Sequence, residues 1–149
     1  MRLLFAVLLG ACAFGAQAAT TATMPVVTSV WISEAPPVAK NNAAYAIVRN
    51  GSAADVLLGV DTPVAAAAEL HEMNMSGGLM RMRELEQVDL APGQEVRFTP
   101  GGYHIMLIGM KRALAVGEKV PLTFRFRHAG RITVEAEVRP LDVDGKPAH

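Results

Sequence analysis

Leu122-Thr123-Phe124-Arg125-Phe126-Arg127 alternates apolar and polar residues strictly, the period-two signature of a strand with one buried face. Ile132-Thr133-Val134-Glu135-Ala136-Glu137-Val138-Arg139 does the same, after His128-Ala129-Gly130, a glycine-containing connection of hairpin length. Val96-Arg97-Phe98 and Tyr103-His104-Ile105-Met106-Leu107 continue the pattern, and residues 26–32, 45–48 and 56–60 are β-rich runs. Turn signals separate them: Pro36-Pro37, Asn50-Gly51-Ser52, Asp61-Thr62-Pro63, Ala91-Pro92-Gly93, Pro100-Gly101-Gly102 and Ala115-Val116-Gly117. Short strands punctuated this regularly predict an all-β antiparallel sandwich or barrel. One stretch pulls the other way. Val64-Ala65-Ala66-Ala67-Ala68-Glu69-Leu70 has strong helix propensity, and its state stays open between helix and strand. No internal repeat or interdomain linker is present.

The first 18 residues stand outside this pattern. Met1-Arg2, an apolar run from Leu3 to Leu9 and Ala16-Gln17-Ala18 are the parts of a secretory signal peptide, expected over 1–18 and too short to span a membrane. Removal leaves 131 of the 149 residues: a single domain over 19–141 and a short tail over 142–149. Export in this form places the protein in the periplasm. Cys12, the only cysteine, leaves with the leader, so the mature chain has no thiol for disulfides or catalysis. Leu9-Gly10-Ala11-Cys12 also loosely resembles a lipoprotein signal, and lipidation at Cys12 is the minor alternative. The mature chain carries 13 lysines and arginines against 14 aspartates and glutamates, which gives no electrostatic reason to expect nucleic acid or anionic lipid. No later segment is long and apolar enough to span a membrane.

The chemistry concentrates in His71-Glu72-Met73-Asn74-Met75-Ser76-Gly77-Gly78-Leu79-Met80-Arg81-Met82-Arg83. Six of the eight methionines lie between positions 73 and 110. A two-residue turn at Gly77-Gly78, where glycine tolerates positive φ, pairs 76 with 79, 75 with 80 and 73 with 82. His71, Met73, Met75, Met80 and Met82 then share one face. His104 and Met106 share a face of a second strand, opposite Tyr103, Ile105 and Leu107. Pairing this strand with the hairpin assembles two imidazoles and at least one or two thioethers. Soft, neutral sulfur with borderline imidazole suits Cu(I); zinc sites favour thiolate or carboxylate, and calcium needs oxygen. Neutral donors also hold the metal loosely enough for release.

His71, ten residues, Met82, twenty-one residues, then His104-x-Met106 resembles the signature of the periplasmic copper chaperones of the PCu(A)C family. Leu70-His71-Glu72, residues 78–83, residues 100–107 and Pro121-Leu122-Thr123-Phe124 are similar as well, so the resemblance covers nearly all of the mature chain. It implies a cupredoxin-like antiparallel β-sandwich of Greek-key type. It also implies a non-enzyme that holds one Cu(I) ion on His71, Met82, His104 and Met106. Its copper would go to a receiving protein, a cytochrome c oxidase subunit or a thiol-bearing copper chaperone. Relatives with a Met- and His-rich C-terminal extension hold a second ion; here the tail offers only His149.

Plainer roles are available for each residue. Met82 and Met106 could fill core gaps, as methionine does well. Met80 and Met110 are read as packing; Met73 and Met75 are read the same way, with auxiliary or exchanging ligation as the alternative. His128 is expected in solvent, Glu72, Arg81 and Arg83 on a solvated strand face, and Trp31 in the core. An electron-transfer cupredoxin would need a cysteine thiolate, which the mature chain lacks. A zinc hydrolase would need a third protein ligand and a general base, and His71-Glu72 does not continue into H-E-x-x-H. A copper buffer or resistance protein with the same site but no oxidase client is not separable from a delivery protein by sequence.

Overall fold

The computed structural model describes residues 22–141; the leader expected over 1–18 with Cys12, and the tail expected over 142–149 with His149, lie outside the described residues. Ten strands make up the fold: β1 (Val26–Ser33), β2 (Asn41–Arg49), β3 (Asp55–Asp61), β4 (Ala65–Ser76), β5 (Leu79–Leu85), β6 (Val88–Leu90), β7 (Glu95–Phe98), β8 (Tyr103–Met110), β9 (Lys119–Phe126) and β10 (Gly130–Arg139). They hydrogen-bond in the order β5-β4-β8-β7-β2-β1-β10-β9-β3-β6, with a further β8–β2 pairing. All neighbours are antiparallel except β1–β10 and the short β7–β8 contact. β3 packs on β4, although the two lie near opposite ends of that order. The sheet therefore folds over on itself and encloses one core. No helix among the described residues is long and apolar enough to cross a membrane.

The alternation read in the sequence places that core. Leu122, Phe124 and Phe126 of β9 point inward, as do Ala136 and Val138 of β10, while Thr123 and Thr133 meet across the outer face, Oγ1 to Oγ1 at 2.8 Å. Ile32, Val48, Leu57, Phe98, Ile105 and Leu107 complete the centre. Each such side chain, fully buried, is worth about 1.5–3 kcal/mol. The Asp55 carboxylate fastens the β9–β10 turn to β3, accepting N–H bonds from Val56 (2.7 Å), His128 (2.9 Å) and Ala129 (2.9 Å). Burial pushes its carboxyl up, but those three N–H groups and the nearby His128 together hold it below the ordinary range.

The alanine-rich stretch left open between helix and strand forms the first half of β4. Its propensity for helix, at most about 0.7 kcal/mol per residue, is outweighed by ladder pairing to β8, Ala65 with Met110 through Glu72 with Tyr103. Small side chains serve this packing: a Cβ at Gly109, whose φ is +66°, would lie 3.0 Å from the Ala66 Cβ. Trp31 is buried as expected, against Tyr45, with ring centroids 4.4 Å apart.

Candidate metal centre

Strands β5, β4 and β8 lie side by side at one end of the sheet and set the site through their register. The β4–β5 hairpin turns at Gly77-Gly78, both at positive φ, and pairs Met73 with Met82, Met75 with Met80 and Ser76 with Leu79. This is the register that the glycine pair implies. Across the other edge of β4, His71 faces His104 and Glu69 faces Met106. Opposed residues share a face, so His71, Met82, His104 and Met106 all project from one side of three adjacent strands. Tyr103, Ile105 and Leu107 fill the opposite side, toward the core.

His71 and His104 meet directly, with ring centroids 5.5 Å apart and planes at 59°. Each ring has one nitrogen engaged and one left over. His71 Nε2 lies 2.9 Å from Glu69 Oε2, and His104 Nδ1 lies 3.2 Å from the Gly102 carbonyl oxygen. A carboxylate and a carbonyl accept only, so both engaged nitrogens carry the proton. The lone pairs then sit on His71 Nδ1 and His104 Nε2, and both atoms are buried without a hydrogen-bond partner among the described residues. Two buried, unpartnered lone pairs on neighbouring rings are costly in a folded protein unless something binds them. A hydrogen bond on the far nitrogen that fixes tautomer and ring orientation is the usual support of a metal-binding histidine.

The Gly102 carbonyl also accepts the Met73 N–H at 3.1 Å, so the residue that holds the His104 ring is tied to β4 as well. His104 is only 4% exposed. Burial, followed by the charge His71 would carry, pushes its pKa below the ordinary 6.5, against the hydrogen bond to Gly102. The ring is thereby kept neutral and able to donate a lone pair.

The methionines grade from this buried end outward. Met106 and Met73 are half-buried, Met82 is 49% exposed, and Met75 and Met80 at the hairpin tip are 68% and 65% exposed. The packing role expected for Met80 is therefore wrong, because it projects from the face of β5 opposite the core-packed Leu85, and it is 65% exposed among the described residues. Met75 is not packed either. Met110 does pack against the core, and His128 lies in solvent. Glu72 and Arg83 pair at 2.7 Å on the opposite, solvated face. The sequence reading missed Glu69 and Gly102. Glu69-x-His71 carried a usable signal, since residues two apart on a strand share a face. Among the described residues no group of three His, Cys, Asp or Glu side chains is arranged to hold a metal, so further donors beside the imidazoles would be thioethers.

The described residues thus form an all-β fold with paired imidazoles beside a row of methionines on one sheet face. A family model described as "Putative lipoprotein LpqE-like" matches residues 26–138, and the chain belongs to this LpqE-like family. "Putative lipoprotein Lxx21020" of Leifsonia xyli subsp. xyli is 31% identical over 115 residues, covering 76% of this chain and 68% of that protein. Among solved structures, the apo PCuAC domain from PmoF1 is 26% identical with a TM-score of 0.67, covering 80% of this chain and 96% of that one. The CuI-bound solution structure of DR1885 from Deinococcus radiodurans is 29% identical with a TM-score of 0.60, covering 79% of this chain and 78% of that one. The fold is the cupredoxin-like β-sandwich of these PCuAC domains.

Proposed function

We propose that this protein is an extracytoplasmic copper chaperone that binds one Cu(I) ion with His71, Met82, His104 and Met106 and passes it to a receiving protein. The observation that carries the reading is the pair of buried, unpartnered ring nitrogens, His71 Nδ1 and His104 Nε2, beside a sheet face rich in thioethers. Four neutral donors match a soft monovalent ion and leave it exchangeable. Met82, half exposed at the rim, is the donor a partner would displace first. No proton or electron needs to move, so the protein acts by holding and releasing, without catalysis. The CuI form of DR1885 and the family described as lipoproteins support the metal and the extracytoplasmic setting, and the leader over 1–18 supports export to the periplasm. Cytochrome c oxidase assembly, directly or through a thiol-bearing chaperone, is the proposed destination.

Competition for Cu(I) against a coloured chelator tests the site. One equivalent should bind tightly in the wild type and be lost in His71→Ala and Met82→Ala; no competition would refute the reading. Deleting the gene tests the destination. Lost oxidase activity rescued by added copper is expected, and copper sensitivity with intact oxidase would point instead to a buffer.

A further inference from the structure

Beyond the four ligands, the outer half of the β4–β5 hairpin has an arrangement that folding does not explain. On the face shared with the imidazoles, both distal cross-strand pairs are methionine on methionine, Met73 with Met82 and Met75 with Met80. The opposite face of the same rungs carries Ser76 with Leu79, Asn74 with Arg81 and Glu72 with Arg83. All four positions on one side are thioethers and none on the other is. Six of the seven residues of β5 are exposed, so these side chains add little to the core. Apolar bulk alone would be served equally well by leucine or isoleucine.

We propose that Met75 and Met80 form a solvent-facing thioether site that captures Cu(I) and hands it inward past Met73 and Met82 to the imidazoles. Directly opposed residues have Cβ atoms about 4.5–5.5 Å apart, close enough for two flexible thioethers to hold one ion between them. Successive rungs on one face are separated by two residues, about 6.8 Å along the strand. Exposure falls along the same line, from about two-thirds at Met75 and Met80 to one half at Met82 and 4% at His104. At each step one copper–sulfur bond forms as another breaks, and the ion stays Cu(I) throughout. On arrival the imidazole nitrogens left without a hydrogen-bond partner among the described residues, His71 Nδ1 and His104 Nε2, replace thioethers. The last handover rests on the reading of His71 and His104 as ligands; the capture site itself does not.

Methionine-methyl NMR with 13C labelling tests the capture site, using Ag(I) as a redox-inert substitute for Cu(I). In a His71→Ala/His104→Ala variant the Met75 and Met80 methyl resonances should still shift as Ag(I) is added. Unmoved resonances overturn the proposal. The variant Met75→Leu/Met80→Leu removes sulfur and keeps apolar bulk, so it should bind Cu(I) at equilibrium like the wild type. Its rate of copper uptake from a chelator should fall about tenfold, at the low end of the range over which association rates vary among variants of one site. Unchanged uptake in the leucine variant, with loss only in Met75→Gln/Met80→Gln, would make the patch an apolar docking surface and also overturn the proposal. Methyl shifts at Met75 and Met80, with no tight binding at the imidazoles in the wild type, would uphold the capture site and sink the chaperone reading alone.

Discussion

Hairpins β9–β10 and β4–β5 obey the same backbone rules and use their side chains for opposite ends. Both are antiparallel, both turn through glycine at positive φ, and both alternate two faces. In β9 the inward face is Val120, Leu122, Phe124 and Phe126, all buried, and the hairpin holds the core together. In β5 the apolar residues Met80 and Met82 lie instead on the face away from the core, with Glu84, and all three are exposed. Hydrophobic periodicity reports that a strand has two unlike faces; it does not report which face is covered. On the function proposed here the methionine face of β5 is chemical rather than structural, and sulfur is what distinguishes it.

The comparison breaks most visibly in stability. Phe124→Ala should destabilise the fold by about 3–5 kcal/mol, read as a lower urea midpoint, because its side chain is fully buried. Met80→Ser should lie within about 0.5 kcal/mol of the wild type in the same experiment. Equal losses would mean that β5 belongs to the core after all. In copper binding the order reverses. His104→Ala should lower Cu(I) affinity by more than about 100-fold while Phe124→Leu leaves it near the wild-type value, a discrimination of the kind made by losing a buried polar donor. If His104→Ala unfolds the apoprotein, that ring belongs to the core instead.

A smaller effect separates positioning from ligation. Glu69→Gln should bind Cu(I) nearly as well as wild type, because the amide oxygen still accepts from His71 Nε2–H. Glu69→Leu should lose about 10–100-fold, with its His71 tautomer no longer fixed in 15N NMR spectra of the apoprotein. Equal behaviour of the two variants would remove Glu69 from the site.

The pH dependence is gentler still. His104 has a folded pKa below 6.5, so the unfolded chain takes up a proton first. The linked stability is complete above that value and is lost as pH falls from 6.5 toward the folded pKa. An NMR titration of His104 in the apoprotein should place its midpoint below 6.5, and its copper-binding lone pair should stay free to a lower pH than in an ordinary imidazole. A midpoint at or above 6.5 would contradict the burial argument.

Much of this was legible in the chain. Gly77-Gly78 set the β4–β5 register because a two-residue turn leaves no freedom in pairing, and strict alternation located β9 and β10. Other parts were not. The alanines of β4 carry a local preference that only ladder pairing to β8 overrides. Met80 looked like packing because period two does not say which face of a strand the core covers. The three-residue β6 is too short to show a period at all. Glu69 lay in view beside His71, but its contact depends on a side-chain conformation that strand parity permits without requiring.

The most direct test of the account is X-ray absorption spectroscopy at the copper edge of the protein loaded with one equivalent of Cu(I). The predicted first shell contains two nitrogen donors with imidazole scattering and two sulfur donors, and His104→Ala removes one nitrogen. A shell of sulfur alone would move copper out to the hairpin tip, and a shell without sulfur would return Met82 and Met106 to packing; either result contradicts the His/Met centre proposed for this fold.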